Sequence, residues 1–271
     1  MAHTAVGTLV RDWRHRRSRS QLDVAHEVGV SPKHLSFVET GRSRPSPELI
    51  DAIGIHLEIP LRERNNLLLA AGFAPRYQHT PLDDPEMAGI VESLRRLLDA
   101  HAPYPGVVLD RHWNVVLANA PAGELVAMLP PDLAGPPVNV FRACLHPDGL
   151  ARHTLGFDDW ATYLLTQLHR LVTLTNDAGL VAIEDEVTGY PNIVDLRDRI
   201  GRPVSFTTPD LLVPFRIDLD GVELTMFTTL TTFGTPRDIT LDELAIELFF
   251  PNDTATADHF RRSAAPTETA S

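Results

Sequence analysis

SQLDVAHEVGVSPKHLSFVETGRSR, residues 20 to 44, decides the reading of this chain. Gln21 puts a polar residue at a helix start, and Ala25 is small enough to let a second helix cross closely. Gly29 ends the first helix because it accepts the left-handed conformation of a tight turn. Val30 plugs that turn, Ser31 is a good N-cap, and Pro32 suits the first helical position. In the second helix Leu35 and Val38 are expected to face Leu22, Ala25 and Val28. Lys33, His34, Ser36 and Phe37 then point outward as a mixed face able to enter a groove. Lys33 is the only lysine among the 24 Lys and Arg residues, and it falls on that face. The pattern is a helix-turn-helix.

The flanks extend it. Upstream, Val6, Leu9, Val10 and Trp13 form an apolar stripe, and Arg11, Arg14, Arg16, Arg17 and Arg19 cover the rest, as expected of a helix beside phosphates. Downstream, Gly41 to Pro45 is a cationic turn. Ser46, Pro47 and Glu48 then open a fourth helix through Leu49, Ile50 and Ile53. Leu57 and the stretch from Pro60 to Ala71 supply a fifth.

Residues 6 to 72 resemble the XRE-type, or lambdoid repressor-like, DNA-binding domain in every element. The resemblance implies double-stranded DNA as partner, an inverted-repeat operator and a homodimer. It assigns Gln21 to a phosphate contact and Ser31, Pro32, Lys33, His34, Ser36 and Phe37 to base edges or their vicinity. By the same resemblance Arg42 and Arg44 would grip the DNA backbone, and Arg14 and Glu39 occupy the positions of an ion pair that braces the first helix against the end of the recognition helix. The sequence departs from the family in base readout. Many relatives carry Gln or Arg pairs that read bases bidentately, whereas this helix offers Pro32, Lys33, His34 and Phe37, so no operator sequence follows. Phe37 reads equally as a partly buried core residue or as a contact to a thymine methyl.

Charge supports a division of labour. Residues 1 to 72 hold ten Lys and Arg against eight Asp and Glu; the remainder holds fourteen against twenty-eight. The net charge of −12 is therefore the sum of about +2 in the first 72 residues and −14 in the body, which repels a polyanion, and only the N-terminal face is expected to touch DNA.

With 271 residues and 43% apolar content, the chain is long enough for two domains of an ordinary globular protein. It has no apolar run approaching the ~18 residues of a membrane span, and no signal-peptide apolar region is read at the N-terminus. One cysteine, Cys144, permits no internal disulfide, which fits a reducing cytoplasm.

Pro, His, Gln and Asp replace the helical pattern over 73 to 85, which reads as a linker. A helix is expected over 86 to 100, strands at Val107 to Leu109 and Trp113 to Ala118, and a helix from Asn119 to the Pro-rich loop 130 to 137. A long amphipathic helix follows over 158 to 175, and another over Ile193 to Ile200. Leu211 to Leu219, an Asp220-Gly221 turn and Val222 to Thr232 read as a hairpin. Leu244, Ile246, Leu248 and Phe250 alternate as a last strand, although Thr240-x-x-Glu243 spells a helix capping box. The fold class is α+β: five helices followed by an antiparallel sheet with flanking helices.

YPGVVLDRHWNVVLAN, residues 104 to 119, looks like the opening hairpin of a PAS domain and the asparagine that follows it. Behind an XRE-type module, residues 86 to 252 resemble the PAS-like ligand-binding domain of the MmyB-like transcription regulators of actinobacteria. The tail 253 to 271, rich in Ala and Thr, reads as disordered. The resemblance implies a small apolar or fatty-acid-like effector. The pocket candidates are Val108, Trp113, Val115, Phe141, Trp160, Tyr163, Phe215 and Phe227, each equally a good core residue. A ligand carboxylate would need a cation, for which Arg111, Arg142 and Arg216 are available.

Catalytic signals are poor. His26-Glu27 lacks the second histidine of a zinc protease motif, no phosphate loop or nucleophile elbow appears, and Cys144 has no assigned base. His146, Asp148 and His153 read as a turn before a metal site, and Glu184 to Glu186 as a solvated acidic face. Neither a metal nor a cofactor is expected. The reading is a non-enzymatic regulator; a protein-interaction platform and an enzyme fused to its own regulator are the alternatives for the body.

Overall fold

The computed structural model describes residues 2–175, 177–199 and 212–263. Two compact units result, residues 1–86 with 233–243, and 87–232 with 244–271. The first begins with five helices: α1 (Ala2–Arg16), α2 (Gln21–Glu27), α3 (Pro32–Glu39), α4 (Pro47–His56) and α5 (Leu61–Ala70). Local chemistry sets their ends. The side chains of Ser20, Ser31 and Ser46 each accept from the backbone N–H three residues on, and Pro32 and Pro47 fill first-turn positions. Gly29 turns the chain between α2 and α3 at φ 72°. At Gly7, α1 meets α3 so closely that a Cβ would lie 2.3 Å from the Val38 carbonyl. Val6, Val10, Trp13, Val24, Ala25, Leu35, Val38, Ile50 and Ile53 form the core. Leu22, expected in it, is 64% exposed, and Val24 takes its place, because α2 begins at Gln21 and turns the 24, 25, 28 stripe inward.

The second unit comprises α6 (Ala88–His101), strands β1 (Gly106–Leu109) and β2 (Val115–Ala118), and helices α7 (Ala120–Ala127), α8 (Pro131–Ala134), α9 (Val140–Leu145), α10 (Phe157–Thr175) and α11 (Ala178–Val187). After the hairpin β3 (Phe215–Leu219) and β4 (Val222–Thr232), the chain forms α12 (Ile239–Glu243), which belongs to the first unit, and returns as β5 (Ala245–Pro251) and α13 (Thr254–Ser263). The sheet runs β2-β1-β5-β4-β3, antiparallel throughout, and with its flanking helices makes a PAS-like fold. Asp220 (φ 51°) and Gly221 (φ 83°) form the expected hairpin turn. Buried Asn119 caps α7 and also accepts from the Gly106 N–H, while its amide donates to the Leu98 and Tyr104 carbonyls, locking the first hairpin to the end of α6.

Alternation along the strands separates two faces. Val107, Leu109, Phe215, Ile217, Leu224 and Met226 join the core built with Phe141, Trp160, Leu164 and Leu168. Val108 and its register partner Ile246 lie on the other face, outside that core. Both faces are covered, so β1 is buried at every position.

Three expectations on organisation are corrected. Residues 73 to 85 are not a free linker. Asn65 Oδ1 accepts from the Arg76 and Tyr77 N–H groups, Asn65 Nδ2 donates to the Tyr77 carbonyl, and Arg76 pairs with Asp51. At 240 to 250 the strand holds, but the capping box does not: a short helix, Ile239–Glu243, precedes the strand, and Asp238 rather than Thr240 accepts at its start. The tail does not begin at 253, because α13 buries Thr256, Ala257 and Phe260, and the Thr256 hydroxyl accepts from the Thr225 N–H. The helix expected at 193 to 200 is a 3₁₀ segment, Val194–Arg199; Ile200, Leu211 and residues 264–271 lie outside the described residues. Helices α9 and α11 had no counterpart in the sequence reading.

Candidate nucleic-acid interface and ligand site

Ser31 and Pro32, at the α3 N-terminus, are exposed, with the Ser31 hydroxyl accepting from the His34 N–H at 3.1 Å. Lys33 is exposed, and His34, Ser36 and Phe37 are half-buried. Phe37 organises the face. The Lys33 ammonium lies 5.6 Å and the Arg42 guanidinium 5.8 Å from its ring centroid, so one aromatic ring holds a cation from the helix and another from the following turn. Sequence reasoning left Phe37 between core and base contact; its part as a platform for two cations was missed. The i, i+4 spacing of Lys33 and Phe37 was the available signal.

Behind this face, Arg14 Nε and Nη2 donate to the two carboxylate oxygens of Glu39 at 2.7 and 3.0 Å, and Nη1 donates to the Arg19 carbonyl. Gln21 Nε2 donates to Glu39 at 2.7 Å. Burial pushes the Glu39 carboxyl up, but hydrogen bonds from Arg14 and Gln21, with the charge of Arg14, outweigh it and hold the pKa below its ordinary value. Gln21 thus serves Glu39 and keeps one amide N–H that can donate to a phosphate, with its carbonyl left to accept from water.

Several arginines have other work. Arg44, assigned to the DNA backbone, donates from Nε and Nη2 to the Ala71 and Gly72 carbonyls and stacks 4.2 Å from the Phe73 centroid, which makes it a cap on α5. Arg17 donates to the Leu57 and Glu58 carbonyls, and Arg19 pairs with Glu27. The cationic cover of α1 is therefore in large part internal bracing.

In the sheet domain, Trp113 stacks on Phe141 at 4.8 Å, with Val115 packed against the same core. Trp160 packs against Tyr163 at 5.2 Å and Phe215 at 4.9 Å. Val108 and Phe227 are not with them. Phe227 stacks on Phe250 at 5.3 Å, and strand alternation puts both on the face opposite Phe249 and Met226. None of the three candidate cations joins the aromatic set: Arg111 pairs with Asp177, Arg142 with Glu186 at 2.6 Å, and Arg216 with Glu223 at 2.8 Å. Missed by the sequence reading were Glu247 and Thr228, which share the inner face, and the presence there of Cys144, whose thiol burial pushes up to about 12. His146 and Asp148 form a turn in which the Asp148 N–H donates to Nδ1, and Glu184 and Glu186 pair with His169 and Arg142. Among the described residues, no three His, Cys, Asp or Glu side chains gather as a metal site would need, and no helix is long and apolar enough to cross a membrane.

A capped helix-turn-helix unit followed by a PAS-like domain is the architecture of a DNA-binding transcription regulator with a second, C-terminal domain. Comparison with known families narrows it. A helix-turn-helix domain model matches residues 5–67, and the MmyB-like transcription regulator ligand binding domain matches residues 90–262. The chain belongs to the MmyB-like transcription regulators. It is also similar to the transcriptional regulator ClgR of two strains of Mycobacterium tuberculosis, 36% identical over 61 residues, which are 22% of this chain and 54% of the relative. The chain thus spans about half the length of the curated relatives it matches. A solved structure, the clp gene regulator ClgR from Corynebacterium glutamicum, is similar at 25% identity over 38% of this chain and 96% of that one, with a TM-score of 0.24.

Proposed function

We propose that the protein binds an inverted-repeat DNA operator as a homodimer and that a small, largely apolar molecule held by the PAS-like domain alters its operator affinity. The observation that carries DNA binding is the exposed start of α3 with Lys33 and Arg42 ranged about Phe37. A single recognition helix reads only a few base pairs, so two copies would be needed, with half-sites about one helical turn, or a multiple of it, apart. Footprinting with ultracentrifugation tests this: a paired footprint bound by two chains supports it, and a monomer on a lone half-site overturns it.

For ligand response, the aromatic inner face of the sheet is the support, together with family membership. The route to the DNA-binding unit would be the two places where the chain joins the units: the entry into α6, and the segment 233–243 between β4 and β5. A ligand shifts operator affinity only by its differential affinity for the two states, about 1–3 kcal/mol in typical cases, and the effect is reciprocal. A second reading, a recruitment platform, is favoured by the packing of Trp113, Phe141, Trp160 and Phe215 into one buried core. Native mass spectrometry separates them. A retained small molecule supports the sensor, and its absence with a co-purifying protein supports the platform.

A further inference from the structure

The inner face of the sheet is apolar except around one carboxyl group. Glu247 stands in the middle strand β5, paired in register with Val107 of β1 on one side and Leu230 of β4 on the other, and is 4% exposed. Directly opposed residues of antiparallel strands point to the same side, so Glu247 shares its face with Val107, Thr228 and Phe249. The Thr228 side chain lies near both the Glu247 carboxyl and the Tyr163 hydroxyl. Cys144 completes the titratable groups about it. Beside the Cys144 sulfur, Trp160 Nε1 is buried and reaches no nitrogen or oxygen acceptor. The cluster presents a carboxyl, two hydroxyls and an unpartnered N–H inside an aromatic wall. Among the described residues no Lys or Arg is ion-paired with Glu247, and Arg111, Arg142 and Arg216 are paired with Asp177, Glu186 and Glu223.

A carboxylate placed in an apolar wall is costly unless a cation or strong donor meets it. Accepting that this domain binds a small molecule, as proposed above, we infer that the ligand is an amine with an apolar or aromatic body, its ammonium on Glu247 and any acceptor oxygen within reach of Trp160 Nε1. A fatty-acid headgroup in the same place would bring one carboxylate against another. The charge of the site selects against it.

Three eight-carbon probes, octylamine, octanoate and octanol, discriminate when titrated into the full-length protein at about pH 8, with tryptophan fluorescence as readout. Octylamine is expected to bind roughly tenfold or more tightly than either of the others, and Glu247→Gln to remove that preference while leaving octanol binding in place. The wild-type comparison stands even where the variant fails to fold. Octanoate binding as tightly as octylamine, or an amine preference that survives Glu247→Gln, overturns the assignment of Glu247 and leaves the sensor reading intact. Failure of all three probes to bind the folded protein removes this inference and counts against the small-molecule reading itself.

Discussion

Arg62, on α5, donates from Nε and Nη2 to the two carboxylate oxygens of Glu243 at 2.7 and 2.9 Å, although 181 residues separate them. The pair is one of several ties that hold the segment between β4 and β5 within the first unit. Asp242 accepts from the Leu61 N–H, Asp238 accepts from the Thr80 N–H and hydroxyl, and the Ile239 N–H donates to the Gln78 carbonyl. The chain thus leaves β4, is anchored on α5 of the first unit and returns as β5, a covalent path from the sheet to that unit. Arg62→Ala should cost about 1 kcal/mol or somewhat more, the pair being partly exposed and bidentate. Operator affinity of the effector-free protein is expected to survive, with a reduced response to the effector. Equal responses in wild type and variant, measured by fluorescence anisotropy on operator DNA, would exclude this path.

Arg14 and Glu39 should behave as one unit. The pair is buried, so Glu39→Ala or Arg14→Ala leaves an unpaired group and is expected to cost about 3–5 kcal/mol. The folded pKa of Glu39 lies below its unfolded value of 4.5, so its stabilising contribution is present above that pH and is lost as pH falls through the folded value. Glu39→Gln should flatten the acid limb of the unfolding curve. Additive single-mutant costs in a double-mutant cycle would deny the coupling.

Lys33 and Arg42 sit on one ring but should fail differently. Arg42→Ala, in the turn after α3, is expected to weaken all DNA sequences alike and to make the salt dependence shallower by about one unit. Lys33→Ala or His34→Ala should cost about 1–3 kcal/mol at the operator and relax preference at particular positions. Phe37→Leu is expected to lower affinity through both cations at once, without changing the charge. If operator affinity is indifferent to all four substitutions, α3 is not the recognition helix.

What the sequence disclosed follows from how local each cause is. Ser31 with Pro32, Gly29, and Asp220 with Gly221 act within one turn of chain, and each ended or began an element where expected. The roles of the arginines depend on distant carbonyls. Nothing near Arg44 or Arg17 in sequence announces that the ends of α5 and α4 pass within reach. Strand faces were hidden for a different reason. With α6 on one side and α9 to α11 on the other, β1 and β5 are covered on both faces, so Val108 read as a pocket residue and Glu247 went unremarked. The membership of 233–243 in the first unit rests on pairings across about 160 to 180 residues, beyond any local pattern.

Glu247 also makes a prediction about stability that needs no ligand. Burial pushes its carboxyl up to about 7, against 4.5 unfolded, with the Thr228 hydroxyl acting weakly the other way. The unfolded chain therefore releases this proton first as pH rises, and the folded state loses stability progressively between those two values, by roughly 3 kcal/mol once above the higher one. The titratable groups facing it, Cys144 and Tyr163, both have raised pKa values and stay neutral across that window. Glu247→Gln keeps the shape and removes the proton. Urea midpoints for the two proteins should coincide near the acidic end of the window and diverge above pH 7, with the variant the more stable. A variant less stable than wild type in alkaline solution would mean that the ionised carboxylate has a compensating partner in the folded protein, and the charge argument for an amine ligand would lose its basis.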